Sequence, residues 1–375
     1  MGPLAGVKVV ELAGIGPGPF ACMLLADMGA EIIQIDRTAG AATWIPGFMN
    51  RGRRSIAIDL KNASGLDVAM KLVEAADILI EGFRPGVAER LGLGPAACLA
   101  TNPRLVYGRM TGWGQDGPLA QTAGHDIDYL AISGALWPIG SGDEPPPPPL
   151  NLVGDFGGGA MFLVAGVLAA LHEVQGSGEG QVVDAAMVDG SAMLTTMFHE
   201  MRASGLWVDE RHANLLDGGA PFYATYETAD GGFMAVGALE PQFYAALLAG
   251  LGLDSADLPA QMDRGGWPLL RQTFASSFSA KTRDEWDEIF RGSDACVSPV
   301  LSWSEAPRHP HNLQRGTFVE YGGSVVPGPA PRFSRTPSVV AFGAVESGAD
   351  TDEILFGIGL SESDIAALRT AGTIA

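Results

Sequence analysis

The chain of 375 residues carries 43 acidic against 23 basic side chains, a formal net charge of −20. So acidic a protein lacks the clustered cations needed to neutralise a nucleic-acid backbone, and a nucleic-acid partner is not expected. With 47% hydrophobic and 18% charged residues it can bury full cores, and its length accommodates two domains.

Cys22, Cys98 and Cys296 stand far apart without paired spacing, which argues against a disulfide framework or zinc site and fits a reducing compartment. No basic segment with a cleavable apolar core opens the chain, and Gly6 stands where myristoylation prefers Ser or Thr. The most apolar run, from Ala160 to Leu171, is too short to span a bilayer. The expected location is the cytoplasm, with no membrane partner.

Residues 7–12 read as a buried strand, and Gly14-Ile15-Gly16-Pro17-Gly18-Pro19 as the turn after it. Pro19 then opens a helix running to Gly29. Residues 31–36 form the second strand of a βαβ unit, which implies a parallel sheet. Asp36 ends that strand at a ribose-binding spacing, but the third glycine of Gly-x-Gly-x-x-Gly falls on Pro19 and Arg37 follows Asp36. A βα turn without dinucleotide is therefore favoured over an NAD site.

Between residues 37 and 61, Arg37, Arg51, Arg53, Arg54 and Lys61 face only Asp59. This local reversal of charge suggests a phosphate-bearing ligand, with a solvated loop as the bland alternative. Residues 64–76 have helical periodicity, residues 77–81 form a third strand and residues 104–110 a fourth. Arg84 lies just past a strand's C-terminal end, where open α/β sheets bind ligands. Pro145 to Pro149 is a stiff connector, Gly154-Asp155-Phe156-Gly157 begins a helix running to Leu171, and residues 181–184 resume the strand pattern.

Beyond residue 190 the character changes. Residues 191–205 read as a helix with Met193, Met197 and Met201 on one face, a stripe more often core or interface than ligand site. Residues 223–228 and 233–239 form a hairpin, followed by helices at 241–251, 267–278 and through Trp286. Ser361 caps a C-terminal helix. The implied organisation is a large α/β domain at 1–187, a linker helix at 188–222, a small α+β domain at 223–307, a linker at 308–330 and a return to the large domain at 331–375.

The stretch Gly124-His125-Asp126-Ile127-Asp128-Tyr129 sets a histidine among carboxylates, and Asp155 falls near a helix start. Together they could be two proton-transfer groups. Alone, His125 more often reads as structural and Asp155 as an N-cap. His199-Glu200 lacks the second histidine of a zinc helix, His309-Pro310-His311 sits in a proline-rich loop, and Gly-x-Ser-x-Gly is absent, so neither a metal site nor a serine elbow is expected.

Five segments carry a resemblance. They are Val9 through Pro19, Gly112-Trp113-Gly114-Gln115, Gly124 through Tyr129, Leu150 through Gly159 and Leu239-Glu240-Pro241-Gln242-Phe243-Tyr244. They resemble the α-methylacyl-CoA racemases of the family III CoA-transferase superfamily, over most of the chain and more thinly after Arg335. The resemblance implies an open parallel-sheet, Rossmann-like large domain plus a smaller α+β domain, joined by long linkers in an interlocked homodimer. It implies a 2-methyl-branched acyl-CoA substrate and no separate cofactor, since CoA is part of the substrate.

By the same resemblance His125 and Asp155 are the catalytic acid/base residues, and Glu240 hydrogen-bonds the histidine from the other subunit. Arg37, Lys61, Arg84 and Arg90 line the CoA nucleotide and phosphates, with Ile15, Gly82, Gly124, Asp126 and Tyr129 along the bound substrate. The implied reaction moves the α-proton between faces through an enolate, whose oxygen could be held by free N–H groups from Asp155 to Gly158 at a helix start. A helix N-terminus lowers a carboxylate's pKa and an apolar pocket raises it, and sequence leaves that balance open. The competing readings are a CoA-transferase with Asp155 as nucleophile and a non-catalytic acyl-CoA-binding protein.

Overall fold

A computed structural model describes residues 2–38, 47–340 and 346–375. Six strands, β1 (Lys8–Leu12), β2 (Glu31–Asp36), β3 (Arg53–Ala57), β4 (Ile78–Glu81), β5 (Val106–Thr111) and β6 (Gln181–Ala186), form one sheet in the order β3-β2-β1-β4-β5-β6. Every pairing in it is parallel. Successive side chains of a strand point to opposite faces, so Val9, Ile32, Ile78 and Val106 enter one core while Val10, Ile35, Leu79 and Ile56 enter another. Helices cover both: α1 (Pro17–Asp27) packs on the first side, and α2 (Ala63–Glu74) on the second. The chain continues through α3 (Val87–Arg90), α4 (Pro95–Thr101), α5 (Asp126–Ser133), α6 (Met161–Ser177) and α7 (Met187–Leu194). The expected open parallel sheet is thus observed.

Strand β3 was not expected, and its arginines correct the reading of the basic segment. Arg51 donates to both oxygens of Asp27 at 2.9 and 2.5 Å. Arg53, 1% exposed, donates to Glu11 at 2.5 and 3.2 Å and to the carbonyls of Met49 and Pro19 at 2.6 Å each. Arg54 pairs with Glu31 at 3.2 Å and Glu353 at 3.0 Å. These three cations tie β3 and the turn before it to β1, β2, α1 and the helix Thr351–Gly357 rather than wait for phosphate. Their partners lie far away in sequence, so a local charge count could not find them.

The segment carrying Asp155 also departs from expectation. Instead of an α-helix starting at Gly154, residues Leu152–Ala160 form a π-helix that runs into α6. Three consecutive glycines weaken regular α-helix here, and they let the wide turn lie directly on α7. A Cβ on Gly158 would stand 2.7 Å from the Ser191 nitrogen, and one on Gly190 would stand 1.8 Å from the Gly158 oxygen. The continuous helical run is 26 residues, so the length argument made from Ala160 to Leu171 fails. Leu163, Val167, Ala170 and Val174 nevertheless pack one face into the sheet's core.

The chain divides into two compact units, one of Met1–Gly134, Leu150–Leu194 and Leu313–Ala375, the other of Ala135–Pro149 and Thr195–Asn312. The first contains the six-stranded sheet. In the second, β7 (Tyr223–Glu227), β8 (Phe233–Gly237) and a short β9 (Val297–Pro299) make an antiparallel sheet. Against it pack Phe274 and Phe278 of the helix Trp267–Phe278 and Trp286 of the helix Arg283–Phe290, with Tyr226 stacked on Phe278 at 5.1 Å. The expected single helix at 191–205 is two: α7 ends at Leu194, and Thr196–Ala203 follows. The methionine stripe is divided between them.

Candidate active site

In an open parallel sheet, ligands sit beyond the carboxyl ends of the strands where the winding direction reverses. Here that point lies between β1 and β4, and a cavity of about 520 Å³ opens there. It is lined by the turn after β1 (Gly14 to Pro19), the loop after β4 (Gly82 to Pro85) and the end of β5 with its following loop (Met110 to Trp113). His125, Tyr129, Asn151 and Asp155 complete it.

The sequence-predicted residues divide clearly. Ile15, Gly82, Arg84, Gly124, His125, Tyr129 and Asp155 all line the cavity. Arg37, Lys61 and Arg90 are exposed and are not part of its lining. Glu240 belongs to the other unit, where it is exposed just before the helix Pro241–Leu251 and makes no capping bond with its side chain.

His125 is the residue before α5, held in extended backbone at φ −132° and ψ 174°. Its backbone N–H donates to the Asp128 carboxylate at 2.9 Å, and its carbonyl accepts the Asp128 and Tyr129 amides. Tyr129 is buried, donates its hydroxyl to the Gly124 carbonyl, and meets Trp113 edge-on at 4.9 Å. A Cβ at Gly112 would stand 2.3 Å from the Tyr129 ring, so only glycine permits this packing. Burial drives the Tyr129 phenol up to about 12. It therefore serves as a hydrogen-bond donor that fixes the histidine loop.

Asp155 is half-buried and sits beside the start of α1, where a Cβ on Gly16 would stand 3.6 Å from its Oδ2. Phe156 stacks on Phe20 of α1 at 4.5 Å. Burial raises the Asp155 carboxyl above its ordinary value, and the Asp126 carboxylate pushes the same way; a hydrogen bond from Asn151 at 3.3 Å and the charge of His125 oppose them. The proposed oxyanion donors need correction. The Asp155 amide donates to Asp126 Oδ1 at 2.6 Å, the Phe156 amide to the Asn151 carbonyl at 3.3 Å, and the π-helix consumes those that follow.

Asp126 is 8% exposed and faces the Asp155 backbone rather than the cavity, so its side chain is a structural group. Burial raises its carboxyl despite the hydrogen bond from the Asp155 amide. Two further groups carried no sequence signal. Arg109 donates to Glu81 at 3.0 Å and to Glu89 at 2.5 Å, while Glu81 also accepts the Phe83 amide at 2.7 Å. This network holds the loop bearing Gly82 and Arg84. Glu11, paired with Arg53, forms part of the cavity wall.

The strand order is also that of dinucleotide-binding sheets, yet the turn is unsuited to a pyrophosphate. Pro17 and Pro19 remove two amide donors from the first turn of α1. Asp36 is already engaged by Gln34 at 2.8 Å and Ser55 at 2.6 Å.

Residues 4–351 match the profile of CoA-transferase family III. The chain belongs to this family. It is 49% identical over 369 residues to an α-methylacyl-CoA racemase of Mus musculus, covering 98% of this chain and 96% of that protein. The α-methylacyl-CoA racemase of Homo sapiens is 46% identical with the same coverage. The crystal structure of a CaiB/BaiF family protein from Brucella suis superposes with a TM-score of 0.82 at 25% identity, covering 95% of this chain and 99% of that one.

Proposed function

We propose that this protein is an α-methylacyl-CoA racemase, interconverting the R and S forms of 2-methyl-branched acyl-CoA thioesters. The observation that carries the reading is the presence of His125 and Asp155 in the wall of one cavity at the sheet's switch point, in a chain about half identical to racemases along its length. Inverting a C–H centre requires one group to remove the proton and another to return it from the opposite side. His125 serves one face and Asp155 the other, exchanging acid and base roles with direction.

The thioester delocalises the carbanion's charge onto its oxygen, which needs donors. With the Asp155 and Phe156 amides already bonded, the first turn of α5 is the better source. The Asp126 and Ile127 amides, next to His125, have no acceptor among the described residues. Arg84 on the cavity rim is suited to a CoA phosphate, and Arg37, Lys61 and Arg90 extend that role along the exposed surface. Met110 and Met187 in the wall give an adaptable surface for the acyl group.

Glu240 reaches the histidine from the second subunit of a homodimer. Exposed apolar side chains on the large unit, Leu152, Met161, Met193 and Leu194, favour such association. The free state of Cys22, Cys98 and Cys296 suits a reducing compartment such as the cytoplasm.

The test is incubation of a chiral 2-methylacyl-CoA in deuterated water without an acceptor acid. α-Deuteration with racemisation, lost in His125→Ala and in Asp155→Ala, is expected. Near-normal racemisation by either variant sinks the two-base mechanism, while acyl capture on Asp155 by hydroxylamine would mark a CoA-transferase instead.

A further inference from the structure

The two proton-transfer groups stand on separate elements, His125 at the start of α5 and Asp155 in the π-helix, and their separation across the α-carbon must be held closely for either to reach it. The side chain joining those elements is Asp126. It follows His125 directly, and its Oδ1 accepts the Asp155 amide at 2.6 Å. The site is shaped for this contact: a Cβ on Gly154 would stand 2.4 Å from the same oxygen. Its Oδ2 is buried without a hydrogen-bond partner among the described residues. A buried carboxylate with one free oxygen is a poor stabiliser of a fold, so its contribution lies in geometry.

We propose that Asp126 is the positioning residue of the proton-transfer pair, clamping the Asp155 backbone to the turn that carries His125; the role rests on the racemase reading above. The ionisable groups around the clamp are His125, Asp128 and Tyr129 from the α5 side and Asp155 from the π-helix, with Asn151 as a polar neighbour. Asp128 and Tyr129 fix the histidine loop internally. Asp126 crosses to the other element.

Three variants of the full chain test this. Asp126→Ala removes the clamp, Asp126→Asn keeps an acceptor oxygen but removes the charge, and Gly154→Ala forces the oxygen away from the opposite side. α-Deuteration kinetics, the pH profile of kcat and amide hydrogen exchange of residues 152–160 are measured for each. A misplacement on the order of 1 Å is enough to cost about tenfold or more. Asp126→Ala and Gly154→Ala should each lose about tenfold or more in kcat with KM within about twofold, and exchange their 152–160 amides faster. Asp126→Asn should recover most of the lost rate, protect those amides as the parent does, and move the acid limb to lower pH because the charge beside Asp155 is gone.

Parent-like kcat in Asp126→Ala overturns the proposal, as do equal losses in the Ala and Asn variants with unchanged amide exchange. If the parent protein exchanges no α-proton, the racemase reading falls, and the positioning role with it. Amide exchange then still reports whether the clamp exists, so the two failures are told apart.

Discussion

Replacing Arg53 by methionine probes the part of the fold that sequence reading misassigned. Arg53 and Glu11 are 1% and 2% exposed, and the guanidinium makes four hydrogen bonds, two to Glu11 and two to the Met49 and Pro19 carbonyls. Arg53→Met leaves the carboxylate buried and alone, which costs ~3–5 kcal/mol. At a urea dependence of ~3 kcal/mol/M, the midpoint of the large unit's transition falls by roughly 1–1.7 M. The double variant Glu11→Leu with Arg53→Met removes both charges and should recover most of that loss, because a buried pair replaced by apolar side chains is often close to neutral. Urea unfolding of the parent, both single variants and the double variant completes the cycle. A single-variant loss below ~1 kcal/mol, or a double variant as unstable as the sum of the singles, refutes the argument.

In the direction where the proposed mechanism makes Asp155 the base, activity requires its charged form. Because burial raises that carboxyl, the rate should fall with decreasing pH at values above the ordinary aspartate range of ~3.9; a pH profile of kcat with its limb at or below that value contradicts the assignment. Arg109→Met removes the donor to Glu81 and Glu89 and frees the loop carrying Arg84, so KM for the acyl-CoA should rise about tenfold with a smaller change in kcat, measurable by steady-state racemisation. In the small unit the Arg283 guanidinium, 2.5 Å from Glu305, holds that carboxyl down to about 2. A depressed carboxylate stabilises the fold above its unfolded value of ~4.3, and the contribution is lost as pH falls toward the folded value. Urea unfolding between those pH values should therefore show an acid sensitivity that Glu305→Gln reduces.

How far the sequence could be read followed the range of the interactions. Strands β1, β2 and β4 were legible because each centres on aliphatic residues that the sheet buries, and β5 and the largely exposed edge strand β6 because each carries β-branched or aromatic residues just past a proline or glycine turn. The small unit's hairpin and the Ser361 cap were legible because their signals are local: Ser361 accepts the Asp364 amide at 3.2 Å. Strand β3 was not, since its sequence begins Arg-Arg-Ser, and Arg53 is accommodated in the core only through Glu11 while Arg54 pairs with Glu31 and Glu353 at the surface. The π-helix was hidden for a related reason, as its wide turn depends on the Gly158–Gly190 contact across 32 positions (190 − 158). At the site, His125 and Asp155 were singled out by type and by resemblance, whereas the role of Asp126 depends on which way one carboxylate turns.

That orientation also settles the competition over Asp155. A carboxylate near a helix start is ordinarily stabilised by unspent amides and the dipole they create. Here the Asp155 amide is given to Asp126 and the Phe156 amide to the Asn151 carbonyl, while the carboxylate of Asp126 adds repulsion. The remaining support is one donor from Asn151 at 3.3 Å and the charge of His125. Burial therefore prevails and the group becomes a stronger base than an exposed aspartate, as the proposed α-proton abstraction requires. The contact that positions Asp155 is thus also one that raises its proton affinity, and Asp126→Ala removes both effects whereas Asp126→Asn removes only the second.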